Sequence, residues 1–179
     1  MAGVLKDDKD WTWVLERPCA ECGFDATALT RDGIGPRLLQ ATGDLENALA
    51  GPSVAQRPSP DVWSVLEYGC HVRDACRVFA ERLALMLTTD DPGFANWDQD
   101  QTAVQERYGE QNPVAVAREL ASAAAVLASA FDAVSGPQWL RTGSRSDGAR
   151  FTVESLGRYL VHDPVHHVFD ATGVRQGDA

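Results

Sequence analysis

Between Val65 and Met86 the chain repeats apolar residues every three or four positions, through Val65, Tyr68, Val72, Ala75, Phe79, Leu83 and Met86. A stripe of that period and length is the buried face of an amphipathic helix, and such a face needs other elements to cover it. Ser59-Pro60-Asp61 offers a hydroxyl N-cap, a proline at the first helical position and an acid on the helix dipole, so the helix is predicted over about 60–87. Three further helices are predicted. One covers about 32–50 and stops at Gly51-Pro52, and an alanine-rich one runs from Pro113 to about Val134. The last covers about 153–171, is capped by Thr152 and ends at Gly173. Gln56–Pro60 reads as a linker, Thr88–Asn96 as a loop, 98–110 as a short polar piece with some helical character, and Ser135–Arg150 as a polar loop with three glycines. No segment alternates as a strand should. The expected fold is an all-α four-helix bundle over residues 30–172, with an N-terminal extension at 1–29 and a tail at 173–179.

At 179 residues the chain is long enough to bury one core. Its formal charge of -10, with no basic cluster, argues against nucleic acid as a partner. No apolar run is read as approaching the roughly 20 residues of a membrane span, so no membrane partner is expected. Met1 to Trp11 is charged and has no apolar signal core, which predicts a cytoplasmic chain with reduced cysteines. A homodimer through exposed bundle faces is an open expectation.

The chemistry concentrates near the end of the last helix. His162, Asp163, His166, His167 and Asp170 place three of the four histidines and two aspartates within nine residues. The fourth histidine, His71, lies about ninety residues upstream on the long periodic helix. Imidazoles and carboxylates one turn apart, with a distant third ligand, are how helical bundles build mononuclear metal sites. At about 100° per residue, Asp163, His167 and Asp170 fall at the edge of the apolar stripe, whereas His162 and His166 point further from it. Asp163/His167 is therefore the better inward clamp, and His162/His166 competes at equal spacing. Pro164 disturbs the count by removing a backbone donor. His71 borders its own stripe with Asp74 three residues on, as Asp170 follows His167; both aspartates are candidates to orient an imidazole or meet a ligand. A lone His71 also has the plainer reading of a satisfied, half-buried histidine.

Cys19-x-x-Cys22-Gly23 looks like half of a zinc knuckle, but a structural site needs two more ligands. Cys70 and Cys76, about 120° apart on one helix, are poorly placed to supply them. A redox pair lacks the usual strand before it and helix after it. The remaining reading is a pair that shapes a turn, with Trp11, Trp13 and Phe24 docking the extension onto the bundle. Ser144-Arg145-Ser146-Asp147-Gly148, entering the last helix, is either a solvated turn or a contact for charged parts of a substrate.

Two stretches carry a resemblance: Trp63-Ser64-Val65-Leu66-Glu67-Tyr68-Gly69-Cys70-His71-Val72-Arg73-Asp74, and Asp163-Pro164-Val165-His166-His167-Val168-Phe169-Asp170. They resemble the DinB-like superfamily, which includes the N-terminal domain of mycothiol-dependent maleylpyruvate isomerase and related bacterial thiol transferases. The first matches the family's second helix with its single histidine ligand. The second matches a fourth-helix pattern of ligand, three residues, histidine, two residues, polar. The first ligand of that pattern is often His, or Glu in the isomerase branch, so Asp163 is unusual and leaves His162 and His166 in play. Trp13 to Asp25 is similar to an actinobacterial branch. The resemblance implies a four-helix bundle, a divalent metal (zinc foremost), and a transfer or isomerisation that uses a low-molecular-weight thiol such as mycothiol. With His71, Asp163 and His167 as ligands, a fourth position stays open for water or a thiol, whose pKa the metal would lower. His166 is then a candidate proton shuttle. The expected partners are a small-molecule thiol and an electrophile. The alternative is a non-enzymatic metal-binding bundle with a binding or stress role.

Overall fold

A computed structural model of the chain describes residues 10–177. Expectations for 1–9 and 178–179 lie outside the described residues. Four long helices, α1 (Ile34–Leu49), α2 (Val65–Thr88), α4 (Pro113–Asp132) and α5 (Val153–Thr172), make the bundle, with the short α3 (Gln99–Gln105) between α2 and α4. Both α1 and α2 lean on α4 and α5, and touch each other less. Their shared core includes Leu38, Leu45, Leu66, Leu83, Leu127, Phe131 and Leu156.

The helix ends follow capping chemistry. Asn112 caps α4 through its side chain, with Pro113 at the first position. Thr152 caps α5, and Gly173 closes it in the left-handed region at φ 73°. α5 runs without a break through Pro164. The start of α2 corrects the sequence reading. Ser59 instead bridges Val62 in a tight turn, and the cap passes to Ser64. Ser64 and Glu67 form a reciprocal capping box, which satisfies two backbone donors where the Ser59 start would satisfy one.

A second correction concerns the loops. Gly93–Phe94 (β1), Thr142–Arg145 (β2) and Arg150–Thr152 (β3) form a small sheet in the order β1-β2-β3, with β2 and β3 antiparallel and β1 parallel to β2. Gly148, at φ 97°, sits in the turn of the β2–β3 hairpin. The sheet closes one end of the bundle beside Met86, whose side chain lies 2.9 Å from where a Cβ on Gly143 would stand. A third correction is that α4, at 20 residues, is long and apolar enough by length and composition to cross a membrane. Here one face of it, with Leu120, Ala124, Leu127 and Phe131, is buried against α1 and α2.

Gly157 marks a close approach between helices. A Cβ there would lie 2.8 Å from Ile34 Cδ1 and 2.9 Å from Phe131 Cε1, both fully buried. Gly157→Ala should therefore destabilise the fold by about 1–3 kcal/mol through overpacking, although alanine gains roughly 1 kcal/mol in helix propensity. Urea titration at constant m checks it, and a stabilised variant would contradict the close approach.

The segment before α1 joins the same core. Trp11–Leu15 is a 3-10 turn capped by Asp10, and Val14, Cys19, Cys22, Phe24 and Ala26 are all buried.

Candidate metal centre and its cleft

The capping box fixes the phase of α2, and one turn beyond Glu67 that phase turns His71 towards α5. His71 is fully buried, and its Nε2 lies 3.2 Å from Asp163 Oδ1. His167 Nε2 approaches the same oxygen at 3.6 Å from one turn further along α5. One nitrogen from each histidine and one carboxylate oxygen thus lie within 4.8 Å of one another. Behind them, His167 Nδ1 sits 3.0 Å from Asp170 Oδ2, the carboxylate–imidazole pairing that orients a metal-binding histidine.

The walls are aromatic. Trp97 stacks on His71 with centroids 5.2 Å apart and planes 4° from parallel, and Trp63 covers another side at 5.4 Å. Tyr68 stacks on His167 at 4.9 Å. Trp97 itself is tethered by Nε1 donating to Thr102 Oγ1 at 2.8 Å. Sequence patterning passed over these aromatics as site walls. Trp97 sits in a non-periodic loop, so the only available signal was a large ring among polar neighbours.

A divalent cation fits this donor set. Asp163 Oδ2 and His71 Nδ1 are buried without hydrogen-bond partners, and a buried carboxylate oxygen left unpaired is costly unless a cation accompanies it. Two imidazoles and a carboxylate suit zinc and its first-row neighbours, and three protein ligands leave a fourth position open. With no metal, the charges organise themselves. Burial disfavours a charged His167, but the Asp163 charge and hydrogen bonds to Asp163 and Asp170 outweigh it and raise the imidazole to about 10. Burial would raise Asp163, yet the charges of His71 and His167 hold it well below the usual carboxylate range.

Asp163 and His167 line a cleft of about 1280 Å³. Arg82, Arg145 and Tyr159 line it as well. Arg145 donates to Asp147 Oδ2 at 2.8 Å and to Tyr159 Oη at 3.3 Å. The β2–β3 turn thus contributes Arg145, Asp147 and Gly148 to the cleft. Buried Arg82 donates to the Ala95 carbonyl at 3.0 Å and packs on Phe79 and Phe94. Among the described residues no carboxylate pairs with it. Burial, with the nearby Arg145 charge, lowers Arg82 to about 10.

The other sequence candidates lie elsewhere. Asp74 turns away from His71: it accepts from Arg73 at 2.9 Å, from Arg77 at 2.9 Å and from the Tyr108 hydroxyl at 2.7 Å. Burial works against its charge, but these donors hold Asp74 below its ordinary range. His162 and His166 do not join His71, and they do not point away from the core as the helical wheel suggested. Both are buried beside Cys19 and Cys22, under Trp11, Trp13 and Phe24. Burial lowers His162 to about 4 and also depresses His166.

Asp170 is the candidate orienting group most open to test. Asp170→Asn should weaken metal binding in the cleft about 10-fold to 100-fold, read by competition with a chromophoric chelator. Unchanged affinity would remove Asp170 from the centre.

The sequence profile of the DinB superfamily matches residues 37–169. Among solved structures the chain is similar to YfiT from Bacillus subtilis, described as a probable metal-dependent hydrolase with an unusual four-helix bundle topology. The two are 20% identical with a TM-score of 0.71, over 80% of this chain and 84% of YfiT. No curated protein matches the sequence significantly.

Proposed function

This chain belongs to the DinB superfamily, whose profile spans most of its length, and from that premise we propose a metal-dependent enzyme that transfers a low-molecular-weight thiol, such as mycothiol, to a small electrophile. The observation that carries the reading is the three-donor set of His71, Asp163 and His167, two of whose members line a large cleft. Zinc held there would supply the positive charge that lowers the pKa of a thiol in the open fourth position.

The chain's own groups do the rest. Asp170 fixes the ring of His167, so that its Nε2 is presented to the centre. Trp63, Trp97 and Tyr68 shield the two imidazoles from water. At about 1280 Å³ the cleft exceeds the roughly 300–1,000 Å³ of single-ligand pockets, which suits a thiol and a second reactant together. Arg82, buried and without a carboxylate among the described residues, favours an anionic group on one reactant. In the reaction an S–H bond breaks and a C–S bond forms, and the proton leaves with the group displaced from carbon.

The likeness to YfiT favours a second reading, in which water replaces the thiol and the enzyme is a hydrolase. The test incubates the zinc-loaded chain with a panel of electrophilic esters, amides and halides, with and without low-molecular-weight thiols, and identifies products by mass spectrometry. Thioether or thioester products that require both thiol and metal support transfer. Hydrolysis indifferent to thiol selects the second reading. No metal-dependent product of either kind would leave a metal-binding bundle without turnover.

A further inference from the structure

A second cluster lies about 100° around α5 from the first. Cys19, Cys22, His162 and His166 each offer one ligand atom within 4.8 Å of the others, and all four residues are buried. Their pattern is Cys-x2-Cys on the N-terminal segment and His-x3-His on α5, the ligand spacing of Cys2His2 zinc sites. His166 Nδ1 lies 3.7 Å from Cys19 Sγ. A tetrahedral zinc, with Zn–S about 2.3 Å and Zn–N about 2.0–2.1 Å, sets sulfur and nitrogen roughly 3.6 Å apart. The far nitrogen of the same ring, Nε2, faces Glu21 Oε2 at 3.4 Å and Asp170 Oδ1 at 3.7 Å, carboxylates placed as they are behind metal-bound histidines. His162 Nε2 is buried with no hydrogen-bond partner.

The backbone around the thiols is built as a knuckle. Cys19 N donates to Phe24 O at 2.8 Å, and Gly23 N donates to Cys19 O at 2.9 Å. Gly23 holds φ 80°, and a Cβ there would meet Gln176 O at 2.9 Å, so glycine is required twice over. The chain beyond α5 locks the turn from outside: Gln176 N donates to Cys22 O at 2.8 Å, and Arg175 donates to the carbonyls of Ala20 and Glu21 at 2.9 Å each. A redox pair needs access for its partner thiol, and this pair is sealed.

We propose that Cys19, Cys22, His162 and His166 form a second metal site, a closed four-ligand zinc centre that staples the N-terminal segment to α5. With four protein ligands it keeps no open position and is structural. It also meets the cleft centre through one residue, because Asp170 offers one oxygen to His166 and the other to His167. The staple thereby helps set the ring that the cleft uses.

The test is metal content per chain by mass spectrometry on reduced full-length protein reloaded with zinc, followed by the absorption spectrum of the cobalt-substituted form. Two metals and an intense thiolate-to-cobalt charge-transfer band are expected. In the Cys19→Ser, Cys22→Ser variant the content should fall to one and the band should vanish. In His71→Ala the content should also fall to one, with the band kept. One metal with the band upholds the staple and sinks the cleft centre, and one metal without the band does the reverse. Two metals without the band, or none, overturns the staple. If the double variant fails to fold, the wild-type spectrum still decides.

Discussion

His71→Ala should cost the cleft its metal and lower metal-dependent turnover by more than roughly 100-fold. Residues that merely orient a metal ligand are worth about 10-fold to 100-fold in affinity or activity, and a direct ligand has to exceed them. His71 contributes the only donor from α2, so without it the set shrinks to two groups on one turn of α5. The buried ring also fills space between Trp63 and Trp97, so loss of packing has to be separated from loss of ligation. His71→Gln keeps most of the volume and removes the imidazole. Both variants should lose one metal per chain, while their melting temperatures should differ. Full metal content in His71→Gln would place the cation elsewhere.

The metal-free chain adds a check with a definite sign. His167 is raised from 6.5 to about 10, so its pairing with Asp163 stabilises the fold fully below about pH 6.5 and fades as pH rises towards 10. Asp163 is depressed, so its share is present above about 3.8 and is lost as pH falls further. Metal-free protein should therefore lose this pair's stabilisation on the alkaline side, while zinc-loaded protein should not, because the metal holds His167 unprotonated throughout. Parallel melts of the two forms across pH 6 to 10 measure the difference.

Much of this architecture was legible in the sequence, for reasons that differ by element. α2 announces itself by its apolar period, α4 by Pro113 and its alanine-rich run, and α5 by the Thr152 cap and Gly173, because local chemistry and tertiary burial agree there. At the start of α2 two local signals competed. Ser59-Pro60-Asp61 is a fair helix opening, but Ser64-x-x-Glu67 satisfies more backbone and wins. The β2–β3 hairpin left no trace because Thr142–Arg145 and Arg150–Thr152 lack the alternation of a half-buried strand; the Gly148 turn and the seat of Gly143 on Met86 set the register. The wheel angles of α5 grouped Asp163 with His167 correctly as one face, since that face meets α2. They misplaced His162 and His166 because what covers those two is the non-periodic segment with Trp11, Trp13 and Phe24. Cys19 and Cys22 meet imidazoles some 140 residues further on, and no local spacing carries such a contact.

Glu67→Ala should destabilise the protein by about 3–4 kcal/mol. The Glu67 side chain is 7% exposed and accepts from Ser64 N at 2.8 Å, from Ser64 Oγ at 2.9 Å and from Arg57 Nε at 2.9 Å. Removing it undoes the capping box, worth about 1 kcal/mol. It also strands the buried donors of Ser64, at roughly 1–3 kcal/mol. Arg57 is 33% exposed and can turn to water, so its share is smaller than that of a fully buried partner. At roughly 2–4 °C per kcal/mol for a chain of this size, the melting temperature should fall by about 6–16 °C. Glu67→Gln should cost less, and the cost should depend on pH. Burial alone would raise the Glu67 carboxyl, but the hydrogen bonds from Arg57 and Ser64 hold it below 4.5. The stabilisation due to its charge is therefore present above about pH 4.5 and lost as pH falls through the lower folded value. The stability gap between wild type and Glu67→Gln should close below that pH, and a gap that stays constant would mean that the charge does not hold the linker down. Because His71 sits one turn beyond Glu67, a frayed start to α2 should also loosen the cleft's metal, linking a stability defect at residue 67 to a binding defect four residues away.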